Sequence, residues 1–242
     1  MPAATTEGHL LDGRVRYAQP RDGFRSGIEP VLLAAAIPAR VGERVLEAGS
    51  GAGAALLCLA ARVERIRGLG VEIDPALAAI ATANARANGH GDLHFTNADI
   101  RGTDDWGMFD HACANPPYHR SGGTPSPSAA RTGAKVADAA LWTDWAAAMA
   151  RRLRPGGTLT LILPAAMLVD ALGAMQSARC GSATIFPLWP RMGEAAKLLL
   201  LRTVRGGRGP TRLLAGLALH EETGFSAAAD AVLRHAQQLD LG

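Results

Sequence analysis

From residue 44 onward, short apolar runs alternate with stretches of helical period, and no other feature constrains the chain as strongly. "RVLEAG" (44–49) reads as a strand, followed by a glycine-rich turn and the helix "AALLCLAARVE". "RGLGVEID" (67–74) reads as the next strand. A helix then starts at Asp74-Pro75, with proline in its first turn, and stops at Gly89. "DLHFTNAD" and "MFDHACAN" read as two further strands. "AALWTDWAAAMARRLRPGG" reads as a helix ended by Pro155-Gly156-Gly157, "TLTLILP" as a strand and "AAMLVDALGAMQSA" as a helix. "SATIFPLWP" and "AKLLLLRTVR" have no helix between them and so pair antiparallel. The fold class that follows is α/β: a mostly parallel sheet closed by an antiparallel strand pair, with helices on both faces.

A hydrophobic content of 48% across 242 residues supplies a core of one generous domain. Residues 1–40 are too few for an independent domain and form a short lead-in, while 41–242 carry the sheet. No apolar leader follows the start, and "LTLILPAAMLV" is far short of a membrane span. Cys58, Cys113 and Cys180 stand alone in apolar settings without a metal-ligand spacing, as in a cytoplasmic protein with buried thiols. Nothing calls for a membrane, a metal or an obligatory protein partner. Net charge is only +3, yet seven basic residues against one acid, Glu194, fall between Arg179 and Arg212. That segment, and the proline- and serine-rich loop 121–133, are candidates to meet a polyanion.

In "VLEAGSGAGAALL", Gly49, Gly51 and Gly53 let the backbone turn tightly and approach a ligand without Cβ clashes. Glu47 just before them argues against a pyrophosphate and for a cationic or amino-bearing ligand. Glu72 ends the second strand, where an acid can accept both hydroxyls of a ribose, and Asp99 ends the third, where it can face an adenine. Each acid alone also reads as a helix cap; three at successive strand ends point to a ligand. The fourth strand stops at Asn115-Pro116-Pro117-Tyr118. A Pro-Pro pair cannot continue a ladder, but it leaves rigid carbonyls beside an amide and an aromatic ring, a set that suits a planar amino group.

"VLEAGSGAG", "GVEID", "NADI" and "NPPY", in that order and spacing, resemble the motifs of class I S-adenosylmethionine-dependent methyltransferases, over roughly residues 41 to 205. The resemblance implies a Rossmann-like sheet and S-adenosylmethionine as cofactor, held by Glu47, Gly49, Ser50, Gly51, Gly53, Glu72, Ile73, Asp99, Ile100 and Asn115. It implies catalysis by Asn115, Pro116, Pro117 and Tyr118 on adenine N6, cytosine N4 or glutamine N5. The flanks "QPRDGFRSGIEPVLLAAAIP" and "FPLWPRMGEAAKLLLLRTVRG" further resemble the bacterial family that methylates adenine N6 beside the anticodon of a valine tRNA. Glu29 stands where that family usually has Asp, and His119 where an aromatic residue is common. The expected partner is tRNA, gripped by Tyr118, Arg120, Arg131, Arg191 and Lys197. Trp142 and Trp145 are expected in the core. A release-factor glutamine methyltransferase carries a helical domain before the core, a DNA adenine methyltransferase needs a target-recognition domain, and a non-catalytic module has no use for an intact "NPPY".

Overall fold

The computed structural model describes residues 4–21, 27–116 and 139–242. A short hairpin opens the chain, β1 (Thr5–Leu10) and β2 (Val15–Pro20) pairing antiparallel. Helix α1 (Glu29–Ala36) follows, and then the alternating core: β3 (Arg44–Ala48), α2 (Ala54–Arg62), β4 (Arg67–Glu72), α3 (Pro75–Ala87), β5 (Leu93–Asn97) and β6 (Phe109–Ala114). Helix α4 (Ala139–Arg151), β7 (Leu153–Pro164), α5 (Leu168–Ser177), β8 (Cys180–Trp189) and β9 (Leu198–Arg205) complete it. The short strands β10 (Arg212–Leu213) and β11 (Leu217–Ala218) and helix α6 (Ala227–His235) close the chain.

Nine strands form one sheet in the order β10-β8-β9-β7-β6-β3-β4-β5, with β11 also on β8. Only β9 runs against its neighbours, so the antiparallel pairing expected of the last two long apolar runs is present. Alternate strand residues supply two cores. Val45 and Cys113 face the apolar cluster of α1, α2 and α6, whereas Leu46, Ala48 and Ala114 face that of α4 and α5. All three cysteines are free and buried, and Trp142 is buried in the second cluster, as its helix position implies. Among the described residues no helix is long and apolar enough to cross a membrane.

The Pro155-Gly156-Gly157 stop lies elsewhere than expected. α4 ends at Arg151, and the three residues sit early in β7, where the pairing with β6 slips between Phe109 and His111. The reason is remote in sequence. Arg205, from the end of β9, donates to the carbonyls of Arg151 (3.1 Å) and Leu153 and so satisfies acceptors that the helix end leaves free. Glycine at φ +80° then serves a bulge instead of a cap.

Two asparagines one helical turn apart, Asn84 on α3 and Asn88 just past its end, bind the hairpin. Asn84 accepts from the Ala18 amide (2.9 Å) and donates to the Ala18 carbonyl (2.8 Å); Asn88 does the same for Arg16 at 2.8 and 2.7 Å. Asn84 also donates to the Ala52 carbonyl at 3.0 Å, tying β2 to the glycine-rich loop. Being buried, it has no water to substitute. Asn84→Ala should cost about 1–3 kcal/mol in urea unfolding, and Asn88→Ala less. Amide exchange in β2 should speed up before that of the central strands; unchanged exchange there would remove Asn84 as the tie.

Candidate active site

The carboxyl ends of β3, β4, β5 and β6 meet at one edge of the sheet. The loop after β3 is fixed there by its own main chain, Gly49 and Ser50 both donating to the Val71 carbonyl, at 2.8 and 3.3 Å. Glu72 completes the fixation. One oxygen accepts from the Gly51 amide (2.8 Å) and the other from the Asp74 amide (3.0 Å), so one carboxylate orders the turns after two strands. Each oxygen keeps a second lone pair for a ligand hydroxyl.

Gly51 has φ +55°, and a Cβ there would meet nothing within 4 Å. Among the described residues the loop's main chain at Gly51 therefore borders open space. Gly53, at φ +88°, is under a different constraint: a Cβ would come within 2.8 Å of the Phe95 ring of β5. The Trp145 ring closes the other side, against Gly49. Trp145 is thus only half-buried and belongs to the loop's wall as much as to the core. Neither ring was singled out for this role in the sequence, because both contacts cross between elements.

Glu47 departs from the charge reading. Its carboxyl is buried and accepts from the Leu56 amide at 3.3 Å, serving the first turn of α2 where Gly53 has no side chain to cap it. Burial pushes its pKa up to about 8, the Leu56 amide opposes this, and the Glu72 charge adds to it. Burial thus works against the charge that the sequence reading places at Glu47. Ser50 is turned inward as well: its hydroxyl is buried near Gly70 with no partner among the described residues.

Asp99 lies two residues past the end of β5 and is engaged by Arg101 at 2.6 Å, which holds its carboxyl below the ordinary range. Ile100 is buried in the α4 cluster, and its carbonyl accepts from Arg152 at 3.2 Å. Ile73 is the opposite case, 68% exposed beside Glu72, an apolar side chain with no core to face. Asn115 follows β6 directly. Its side-chain oxygen is buried without a partner among the described residues, an unmet acceptor at the same edge. Pro116 is buried beside it. Pro117, Tyr118, Arg120 and Arg131 lie outside the described residues, as does the loop 121–133.

The basic run divides. Arg191 and Lys197 sit in the connection between β8 and β9, which the pairing of Pro164 with Leu198 brings to the carboxyl edge. Lys197 is exposed, and Arg191 pairs with Glu194 at 3.5 Å. Arg202 and Arg212 are instead bound to main chain: Arg202 to the Gly242 carbonyl, and Arg212 to the Leu241 carbonyl (2.9 Å). Arg205 holds the end of α4, and Arg179 and Arg208 lie toward the other edge of the sheet. Only two members of the segment therefore face the site.

This sheet order and loop define the Rossmann-like fold of the class I methyltransferases. A predicted O-methyltransferase, protein Atu636 from Agrobacterium tumefaciens, shares the fold with a TM-score of 0.72 at 24% identity, covering 87% of this chain and 97% of that one. The model of the methyltransferase small domain family matches residues 28–176, and the chain belongs to that family. Its relatives include the tRNA1(Val) (adenine(37)-N6)-methyltransferase of Dickeya chrysanthemi, 29% identical over 88% of this chain and 85% of that protein. The protein of the same name from Aeromonas hydrophila subsp. hydrophila is 31% identical over 77% and 79%.

The chain is accordingly an S-adenosylmethionine-dependent methyltransferase. The edge fits that cofactor on its own terms: open space over Gly51 among the described residues, and a carboxylate with acceptor capacity left at Glu72.

Two outcomes follow from this geometry. Glu72→Ala should weaken S-adenosylmethionine and S-adenosylhomocysteine alike, by roughly tenfold or more, since it removes both an acceptor and the Gly51 anchor; unchanged calorimetric affinity for both would refute that. Glu47 titrates near 4.5 when unfolded and near 8 when folded. Between those values only the folded state holds the proton, so its stabilisation is complete below pH 4.5 and is lost as pH rises through 8. Relative to Glu47→Gln, the parent protein should lose stability on the order of a few kcal/mol across that window. Parallel stability profiles would show the carboxyl to be ionised throughout.

Proposed function

We propose that the chain methylates the N6 amino group of an adenine in tRNA, near the anticodon. The observation that carries this reading is the buried oxygen of Asn115, without a partner among the described residues, at the head of the Asn-Pro-Pro-Tyr run. The names of the relatives support the substrate, and the exposed Lys197 at the same edge supports a polyanionic one.

When bound, S-adenosylmethionine supplies an electrophilic methyl group on a positively charged sulfur. The chain's own task is to hold both partners. Glu72 would accept from the ribose hydroxyls, Ile73 would cover an adenine ring with apolar surface, and the main chain at Gly49, Gly51 and Gly53 would line the remainder. An exocyclic adenine nitrogen is a poor nucleophile because its lone pair is delocalised into the ring. Asn115 and the Pro116 carbonyl would accept its two hydrogens and draw it toward tetrahedral geometry, which localises that lone pair. Both acceptors are neutral and fixed, so their contribution is positioning and preorganised dipoles. Tyr118 would stack on the flipped base, a contact typically worth about 1–3 kcal/mol. The proton can leave after transfer, so no base of raised pKa is required. A tRNA substrate accords with a cytoplasmic reaction.

The test is methyl transfer to total RNA, followed by nucleoside mass spectrometry, beside a release-factor protein under the same conditions. Label in N6-methyladenosine supports the reading; label in the protein alone would transfer the assignment to glutamine N5. Asn115→Ala should slow methyl transfer about a hundredfold, the loss of one acceptor costing on the order of 3 kcal/mol in barrier. Cofactor affinity should stay within a few-fold. Near-normal turnover at saturating cofactor would remove Asn115 from the reaction.

A further inference from the structure

The methyl-transfer site occupies the carboxyl edge of the sheet, yet unpaired positive charge gathers at the opposite one. β3, β4 and β7 begin there and β9 ends there. Arg40, Arg65, Arg151, Arg179 and Arg208 are exposed in the turns of that edge. Among the described residues none of the five forms an ion pair with a carboxylate. The nearby acids are partly committed elsewhere, Glu43 to His111 and Asp110 to Arg154; Glu64, Asp92, Asp104 and Asp105 are exposed, the last two beside Arg152.

Backbone conformation marks two of these arginines. Arg65 has φ +54° in the turn from α2 into β4, and Arg179 has φ +59° in the turn from α5 into β8. Other turns of this edge put glycine at positive φ, as at Gly42 before β3, Gly89 before β5 and Gly206 after β9. An L residue is strained there and glycine is not. Neither arginine has a side-chain hydrogen bond among the described residues that would offset the strain.

We propose that this arginine edge binds phosphates of the same folded RNA that is methylated at the carboxyl edge, at a distance from the target base. The proposal rests on the tRNA reading above. The two edges are separated by the length of the strands, about 26 Å for an eight-residue strand such as β9. A folded RNA can reach both edges, while an isolated stem-loop held at the site cannot. Shape and phosphate contacts of this kind suit a chain that reads a helix without entering its grooves.

Arg65→Gly combined with Arg179→Gly tests this with stability controlled, because glycine suits both backbones: the melting temperature should hold or rise. Adding Arg208→Ala should flatten the log–log salt dependence of binding to full-length tRNA by about two to three units. Affinity at physiological salt should fall by about ten- to a hundredfold, with stem-loop binding and cofactor affinity unchanged. An unchanged salt slope for full-length tRNA would overturn the proposal, and so would equal losses for tRNA and stem-loop. Capture of anionic lipid vesicles in place of tRNA would also overturn it. If tRNA binds with a slope that the substitutions flatten but no RNA is methylated, the functional reading fails and the arginine edge stands. If RNA is methylated and the slope does not move, the edge alone fails.

Discussion

The Glu72 carboxylate is the point on which the site's geometry turns. It ends β4, yet its two oxygens bind amides from the loop after β3 and from the turn that starts α3. Backbone amides in a tight glycine turn have no helix or ladder to satisfy them, and a floppy loop would have to be ordered by its ligand at an entropic cost. A single buried acid removes that cost for two turns at once. It does so without exhausting its acceptor capacity, because a carboxylate offers about four lone-pair sites. Structural and ligand-binding duties are therefore not alternatives at this residue.

The acid one strand over shows how different the same chemistry becomes when buried. Glu47 and Glu72 both stand at strand ends before turns, and nothing local distinguishes them. Glu47 points into the α2 face of the sheet, beside the thiols of Cys58 and Cys113, where a charge is costly and a proton is retained. What it gives α2 is an acceptor for an amide that a glycine N-cap cannot serve.

The alternation of strands and helices was legible because parallel strands covered on both faces are continuous apolar runs. Asp74-Pro75 was legible because the capping side chain and the proline are adjacent in sequence, and Asp74 indeed accepts from Ala76 and Leu77. The N-terminal hairpin was not read. β1, "TTEGHL", is polar and mostly exposed, and its partner edge is satisfied by asparagines on a distant helix; only Asp12-Gly13 marks the turn. Pro155-Gly156-Gly157 misled because a breaker signals a turn without saying whether a helix cap or a bulge will use it. The motifs of the site were readable as motifs, but Phe95, Trp145 and Arg101 were not. Their contacts with the loop and with Asp99 depend on how elements pack.

The basic segment makes the same point about charge. Arginines that are neighbours in sequence are separated by the strand that carries them, because a strand moves its residues from one edge of the sheet to the other at about 3.3 Å per residue. Lys197 and Arg205 flank β9 and so face opposite edges; Arg202, between them, is buried and bound to main chain. Meanwhile Arg40, Arg65 and Arg151, scattered over the first two-thirds of the chain, lie along the same edge as Arg179 and Arg208. In an α/β fold every connection is at one edge or the other, so charge sorts by which end of a strand it adjoins. A modest net charge of +3 can then conceal a polar distribution: acceptors for a small ligand at the carboxyl ends, and several guanidinium groups without an ion pair among the described residues where the strands begin.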